Sequence, residues 1–326
     1  LSKPGLIAFS IRPRYDRPIK AWDVVSHNKE RPDLMRRTDV LTCLLILVTV
    51  LSTSSFATES FPISVIDDRG ETIVIDERPE RIIAVNALYA EIVVDLGALD
   101  RLIAIADSPD NPDVTSGLPS VGLAAAPNVE VIVGLGPDLV LGATDWGGER
   151  PALEAAGITV LTTPWLGSVP DIFAAIETIA TAIGNSSEGA KLVGRIAREI
   201  VEAEALVLGV LEITATFLYA GTPGDPPYAI GTGAIENELI LRAGGTNVFA
   251  DIESGQVSFE SILEKDPDVI FTAPSQVENL IANPLLQGVS AIRDGRVVGI
   301  RGSVIASTQV SQGLRVMIEA LHEIAP

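Results

Sequence analysis

The chain predicts an α/β fold of two Rossmann-like lobes with mostly parallel sheets, joined by one long rigid helix. Three observations carry this. First, Glu130-Val-Ile-Val-Gly-Leu-Gly-Pro137-Asp138-Leu-Val-Leu returns 130 residues later as Glu260-Ser-Ile-Leu-Glu-Lys-Asp-Pro267-Asp268-Val-Ile-Phe. In both copies a carboxylate opens a short helix, Pro-Asp breaks it, and an uninterrupted apolar strand follows, as buried parallel strands read. Glu91 and Glu238 form a second matched pair, each six residues before a glycine, Gly97 and Gly244. Second, strands and helices alternate along both halves, the pattern of a parallel sheet with helices on its faces. Third, residues 187–208 spell one long amphipathic helix with Leu192, Ile196, Ile200 and Val207 on a single face. At about 1.5 Å per residue such a helix extends about 33 Å, enough to brace two lobes.

Taken in order, residues 63–66 and 71–75 flank Asp67-Asp-Arg-Gly70 and read as a hairpin. Pro79-Glu-Arg81 leads into an apolar strand at 82–85, then a helix at 89–96 that Gly97 ends. A strand at 102–106, the helix at Glu130, a strand at 139–141, a helix at 151–156 and a strand at 159–161 complete the alternation, and a helix at 171–183 closes the first half. After the long helix the second half repeats the theme: strand 214–219, helix 236–243, helix 260–264, strands 269–272 and 297–300, and a last helix at 308–324. The corresponding boundaries are a first lobe at 58–183, the linking helix at 184–210 and a second lobe at 211–326.

The leading residues read differently. From Met35 a basic Met-Arg-Arg, an apolar run at 40–51 and a small-residue ending at Ser55 and Ala57 have the layout of a secretory signal peptide over 35–57. The run is shorter than the ~20 residues that span a bilayer. Residues 1–34 are polar and without periodicity, and read as an upstream extension absent from the mature protein, or as a disordered one. Cleavage after Ala57 leaves 14 basic and 38 acidic residues, a net charge of −24. So acidic a surface argues against nucleic acid, whose binding rests on neutralising phosphates, and suits an extracytoplasmic protein. Cys43, the only cysteine, lies within the apolar run, so the mature chain is expected to hold no disulfide or thiolate metal site.

Several segments together resemble the periplasmic binding proteins of ABC importers for cobalamin, haem and ferric siderophores. They are Pro79-Glu-Arg-Ile-Ile-Ala-Val, Ala90-Glu-Ile-Val-Val-Asp-Leu-Gly-Ala98, Leu118-Pro-Ser-Val-Gly122, Ala243-Gly-Gly-Thr-Asn-Val-Phe249 and Val257-Ser-Phe-Glu-Ser-Ile262. The likeness runs from about Phe61 to the end, through the order and spacing of these segments. It implies the class III arrangement of two lobes on a rigid helix, a metal chelate held in the cleft, and docking on the permease and its ATPase. Matched by motif, the docking glutamates are Glu130 and Glu260. The residues alone equally fit a bland role, since a carboxylate behind the caps Asn128 and Ser258 complements a helix dipole by roughly 0.3–1 kcal/mol.

Ligands of parallel sheets bind beyond the carboxyl ends of the strands. The loops there carry Tyr89, Trp146 and Trp165 in the first half and Tyr228 and Arg301 in the second, and these five are the candidate ligand-binding residues. Asp145-Trp-Gly-Gly-Glu-Arg150 resembles the Trp-x-Gly-Gly turn of cobalamin binders, and flat aromatics suit a macrocycle. Tyr89 and Tyr228 also stand as possible haem ligands. Of the histidines, His27 lies in the leading segment and His322 reads as a surface residue of the last helix. Gly255-Gln256 departs from the aromatic that cobalamin binders often place there, and Arg301 is the main cation for an anionic chelate. Cobalamin or a neutral iron chelate is therefore the expected ligand, with no resident cofactor or metal and a monomeric protein. A bare-metal importer needs clustered histidines, and an enzyme needs a nucleophile, base or phosphate loop that no motif here supplies.

Overall fold

Apolar strands and punctuated helices assemble as two sheets in the computed structural model, which describes residues 59–144, 148–220 and 225–324. All of these belong to one compact unit that begins at Thr58. The extension at 1–34, the signal segment at 35–57 with Cys43, and His27 lie outside the described residues, as do Trp146 and residues 221–224.

An antiparallel hairpin of β1 (Ile63–Ile66) and β2 (Thr72–Ile75) precedes the first sheet. That sheet contains β3 (Ile82–Ala84), β4 (Leu102–Asp107), β5 (Ser120–Leu123), β6 (Ala126–Pro127), β7 (Leu139–Leu141) and β8 (Thr159–Leu161). Its order is β6-β5-β4-β3-β7-β8, parallel except for β5 with β6. Its helices are α1 (Ala87–Asp95), α2 (Val129–Leu135), α3 (Glu149–Ala155) and α4 (Val169–Ala182). Then comes α5 (Ser186–Ala205), 20 residues long.

The second sheet holds β9 (Ile213–Tyr219), β10 (Tyr228–Ala229), β11 (Gly245–Asn247), β12 (Gly255–Gln256), β13 (Val269–Thr272) and β14 (Val297–Gly299). Its order is β12-β10-β9-β13-β14, with β11 parallel to the start of β9. The accompanying helices are α6 (Ile235–Arg242), α7 (Phe259–Lys265), α8 (Val277–Ile281), α9 (Ser290–Arg293) and α10 (Val310–His322). The fold is thus the expected mixed α/β one with mostly parallel sheets. The short strands β5, β6, β10, β11 and β12 go beyond the elements read from sequence. They are two to four residues long, too short to show a period.

The repeated motif has one structural job in both halves. Asp138 accepts from the backbone N–H of Glu80 (2.8 Å) and Arg81 (3.0 Å), just ahead of β3, and its own N–H donates to Arg81 O. Asp268 accepts from Thr214 N (3.1 Å) and Oγ1 (2.6 Å) at the start of β9, and its N–H donates to Thr214 O. Each Pro-Asp therefore ties the strand it opens, β7 or β13, to the central strand beside it. The preceding helix ends in a left-handed residue in both copies, Gly136 (φ 60) and Asp266 (φ 38). Asp266 accepts that conformation with its carboxylate tied to Ser290 N and Oγ.

One apolar core runs through both halves, from β3 and α1 across α4 and α5 to β9, α6 and α10. The buried stripe of α5, Leu192, Ile196, Ile200 and Ala203, packs on α4 and on α10. The far face of each sheet has its own core: Ile83, Ile132, Val140 and Leu153 in the first half, Leu218, Phe249, Ile262 and Ile270 in the second. Burial on both faces explains why these strands are apolar throughout.

The second matched pair of glutamates joins the halves reciprocally. Glu238 of α6 accepts from Val169 N (3.0 Å) at the start of α4, and Glu91 of α1 accepts from Thr308 Oγ1 just ahead of α10. Thr308 has one proton to donate, yet also lies 2.6 Å from Asp95 Oδ2. Burial foremost pushes the Glu91 carboxyl above its ordinary pKa; the Thr308 hydrogen bond opposes this and the Asp95 carboxylate adds to it. A carboxyl raised on folding contributes stability below its unfolded pKa that is lost as pH rises through the folded value. Glu91→Gln, which keeps the acceptor without the charge, is expected to raise the Tm at pH 8 by roughly 2–4 °C per kcal/mol recovered and to leave it unchanged at pH 4. Melts followed by circular dichroism at both pH values check this, and equal shifts at the two would contradict it.

Candidate functional site

The first sheet reverses its winding between β3 and β7: the chain leaves β3 toward β4 on one side, and β7 leads to β8 on the other. The carboxyl ends of two such strands diverge and leave a crevice. A hollow of about 270 Å³ lies there, lined by Val85, Gly142, Ala143 and Thr144 at the strand ends with Pro127 and Glu149 beside them. A second, open-sided hollow of about 480 Å³ continues along the same edge past β4, between Asp107, Asn111, Asp113, Leu118 and Leu123. Together they make the carboxyl edge of the first sheet the candidate ligand wall. Among the described residues its charged groups, Asp107, Asp113 and Glu149, are all acidic.

Gly142 has a positive φ of 88°, and a Cβ there would come 2.5 Å from the ring of Tyr89. That close approach shows where Tyr89 is. Expected to face the ligand, it is 3% exposed and packed under the strand ends. Its hydroxyl is held by Thr163, 3.0 Å from Oγ1 and accepting from N at 2.9 Å. The first turn of α1, capped by Asn86 accepting from Tyr89 N, directs the ring inward instead of outward.

The other candidates are displayed. Trp165, after β8, is 87% exposed, and the residue two on, Gly167, would bring a Cβ within 3.0 Å of Gly233 O in the second half. Trp165 thus stands where the halves approach each other. Tyr228 on β10 is half-exposed, its hydroxyl donating to Ser254 O (3.0 Å). Arg301 follows β14 and is exposed, its guanidinium making no hydrogen bond or ion pair among the described residues. Neither hollow is lined by Trp165, Tyr228 or Arg301. Glu130 and Glu260 sit exposed in the first turns of α2 and α7, behind the caps Asn128 and Ser258. His322 is half-buried, its Nε2 2.8 Å from Ala243 O, because α10 packs back on α6; it is not a free surface residue. Among the described residues no group of three or more His, Cys, Asp or Glu is placed to hold a metal ion, and no helix is long and apolar enough to cross a membrane.

Arg150, at the start of α3, is bonded back to the end of β7. Arg150 N donates to Thr144 O (3.1 Å), and the Arg150 guanidinium, 1% exposed, donates to Ala143 O (3.2 Å). It also pairs with Asp68 Oδ1 (2.7 Å) and Asp67 Oδ2 (3.4 Å) in the β1–β2 turn. Burial pushes the Asp67 carboxyl up, but the Glu71 N–H and the Arg69 side chain and N–H outweigh it and hold its pKa below the ordinary value. The hairpin is therefore an electrostatic anchor for the first turn of α3. Sequence reading missed this because the partners lie 83 positions apart.

Comparison with known proteins follows this geometry. The family model described as periplasmic binding protein matches residues 82–304. A cobalamin-binding protein of Halobacterium salinarum is 28% identical over 283 residues, covering 81% of this chain and 75% of that protein. Among solved structures, an ABC-type Fe3+-hydroxamate transport system protein of Saccharomonospora viridis superposes with a TM-score of 0.69 at 26% identity, covering 80% of this chain and 99% of that one. The periplasmic haem-binding protein RhuT of Roseiflexus, in apo form, gives 0.69 at 25% identity, with 75% and 98% coverage.

Removing one partner of a buried ion pair costs about 3–5 kcal/mol. Arg150→Ala is therefore expected to lower the urea midpoint by that equivalent, with Arg150→Lys between it and the wild type. Because the lowered Asp67 pKa contributes stability above its unfolded value that is lost as pH falls through the folded one, the deficit should shrink in acid. An unchanged midpoint at pH 7 would show that the network does not hold the start of α3.

Proposed function

Because the chain belongs to the periplasmic binding protein family, we propose that it is the extracytoplasmic solute-binding component of an ABC importer, capturing a metal chelate between its halves and delivering it to the permease and its ATPase. The observation that carries this reading is the matched pair of acidic corners. Glu130 and Glu260 are exposed at the same place in equivalent helices, each leading through Pro-Asp into the strand beside its sheet's central strand. A partner with its own two-fold related basic sites can engage both at once. Exposed ion pairs contribute only about 0–1 kcal/mol each, so their contribution is orientation and encounter rate more than affinity.

For the cargo, the wall chemistry favours cobalamin or an uncharged ferric siderophore. The first-sheet edge carries Asp107, Asp113 and Glu149, and Arg301 is the exposed cation at the opposite strand ends. Carboxylates facing a carboxylate- or catecholate-bearing chelate repel it. The kinship with a cobalamin-binding protein and with an Fe3+-hydroxamate transport protein points the same way. Haem is the weaker reading, since Tyr89 spends its hydroxyl on Thr163, leaving Tyr228 as the candidate iron ligand. Trp165 and Trp146 are the flat aromatics available for apolar contact with a macrocycle. The segment at 35–57 supplies export, and the protein works as a monomer.

Two measurements test this. Charge reversal of both corners, Glu130→Arg with Glu260→Arg, is expected to abolish uptake in cells that depend on the importer while leaving ligand affinity within about twofold; normal uptake by the double variant refutes docking through these residues. Titration of the protein with cyanocobalamin, ferric hydroxamates and haemin should quench tryptophan fluorescence for the first two, and Trp165→Phe should reduce the quench. A response to haemin alone reverses the choice of cargo.

A further inference from the structure

Glu149 is an anomaly among the acidic residues. It is 9% exposed and lines the hollow at the carboxyl ends of β3 and β7, where its carboxylate, not sealed from solvent, makes no hydrogen bond or ion pair among the described residues. The other buried acids are answered: Asp67 by Arg69, Arg150 and two backbone N–H groups, Glu91 by Thr308. The neighbouring guanidinium of Arg150 is directed to Ala143, Asp67 and Asp68. Complementing the dipole of α3 does not require a covered side chain, since Glu130 and Glu260 occupy the first turns of their helices exposed.

The rest of the hollow is small or neutral: Val85, Ala143, Gly142, Pro127 and Thr144, with Gly142 backed by the Tyr89 ring. Among the described residues, a group entering over Gly142 meets one charged side chain, Glu149. A carboxylate is an acceptor, with about four lone-pair positions for donors. We propose that Glu149 is a ligand-recognition residue, whose carboxylate accepts hydrogen bonds from a carboxamide, hydroxyl or ammonium group on the rim of the captured chelate and turns away chelates that present carboxylate or catecholate oxygens there. This inference rests on the chelate-binding reading and adds the residue that discriminates among chelates.

The test is calorimetric titration of the full chain and its Glu149→Gln and Glu149→Asp variants with three probes: cyanocobalamin, rimmed by carboxamides; ferrioxamine B, with a pendant ammonium; and an anionic ferric tris-catecholate. The wild type is expected to bind at least one donor-bearing probe and to bind the catecholate at least tenfold more weakly. A charge-assisted hydrogen bond is roughly twice as strong as a neutral one, so Glu149→Gln should weaken the donor-bearing probe about tenfold and narrow the ratio to the catecholate. Glu149→Asp, which keeps the charge, should retain the ratio at reduced affinity. The Tm of the Gln variant should stay level or rise, because no partner is lost. A fall in Tm with all affinities reduced alike would assign Glu149 a structural role and overturn the inference. Binding of a donor-bearing probe that Glu149→Gln leaves unaltered overturns it too, with the chelate reading intact. Silence of the wild type toward all three probes overturns the chelate reading, and this inference with it.

Discussion

The apolar stripe of α5 is the constraint on which the arrangement of the two halves depends. Leu192, Ile196, Ile200 and Ala203 recur at helical spacing and are covered on one side by α4 and on the other by α10, the helices that follow the last strand of each sheet. Full burial of a large aliphatic side chain is worth about 1.5–3 kcal/mol, so this seam outweighs any single polar contact between the halves. With the helices joined into one core, the halves are held together on the α5 side.

The reciprocal glutamates work within that frame. Glu238 reaches the start of α4 and Glu91 reaches the approach to α10, so each half holds the first turn of the other's last helix. The two contacts are not equal. Glu238 is also bound by Arg242, at 2.7 Å from Nε, whereas Glu91 shares a hydroxyl with Asp95. Two-fold relatedness in sequence thus gives two cross-contacts with different partners.

Much of this was legible in the chain. The Glu-to-Pro-Asp repeat located α2, α7, β7 and β13, and strands 139–141 and 269–272 emerge at the expected residues, because Pro-Asp and glycine punctuate runs that are apolar at every position. The caps at Asn128 and Ser258 act as read, since capping is decided within four residues. Tyr89 was misplaced for the opposite reason. A strand-end aromatic faces ligand or core according to what opposes it, and what opposes Tyr89 is Gly142, from another strand. Glu149 gave no signal, since it differs from Glu130 and Glu260 only in being covered.

By itself, the sequence determined what propagates locally: which segments are strands and helices, that one motif recurs in both halves of the chain, and that an amphipathic helix lies between the two copies along the chain. Period and punctuation act within a few residues, and the family likeness rests on the same short motifs. Only the tertiary structure decided which side chains of like kind are exposed and which are enclosed: Trp165 outward and Tyr89 inward, Glu130 and Glu260 in solvent and Glu149 in a hollow, Arg150 pinned by a turn distant along the chain. Exposure depends on the packing of strands and loops that no local pattern brings together, and the chemistry of the ligand wall is a consequence of that packing.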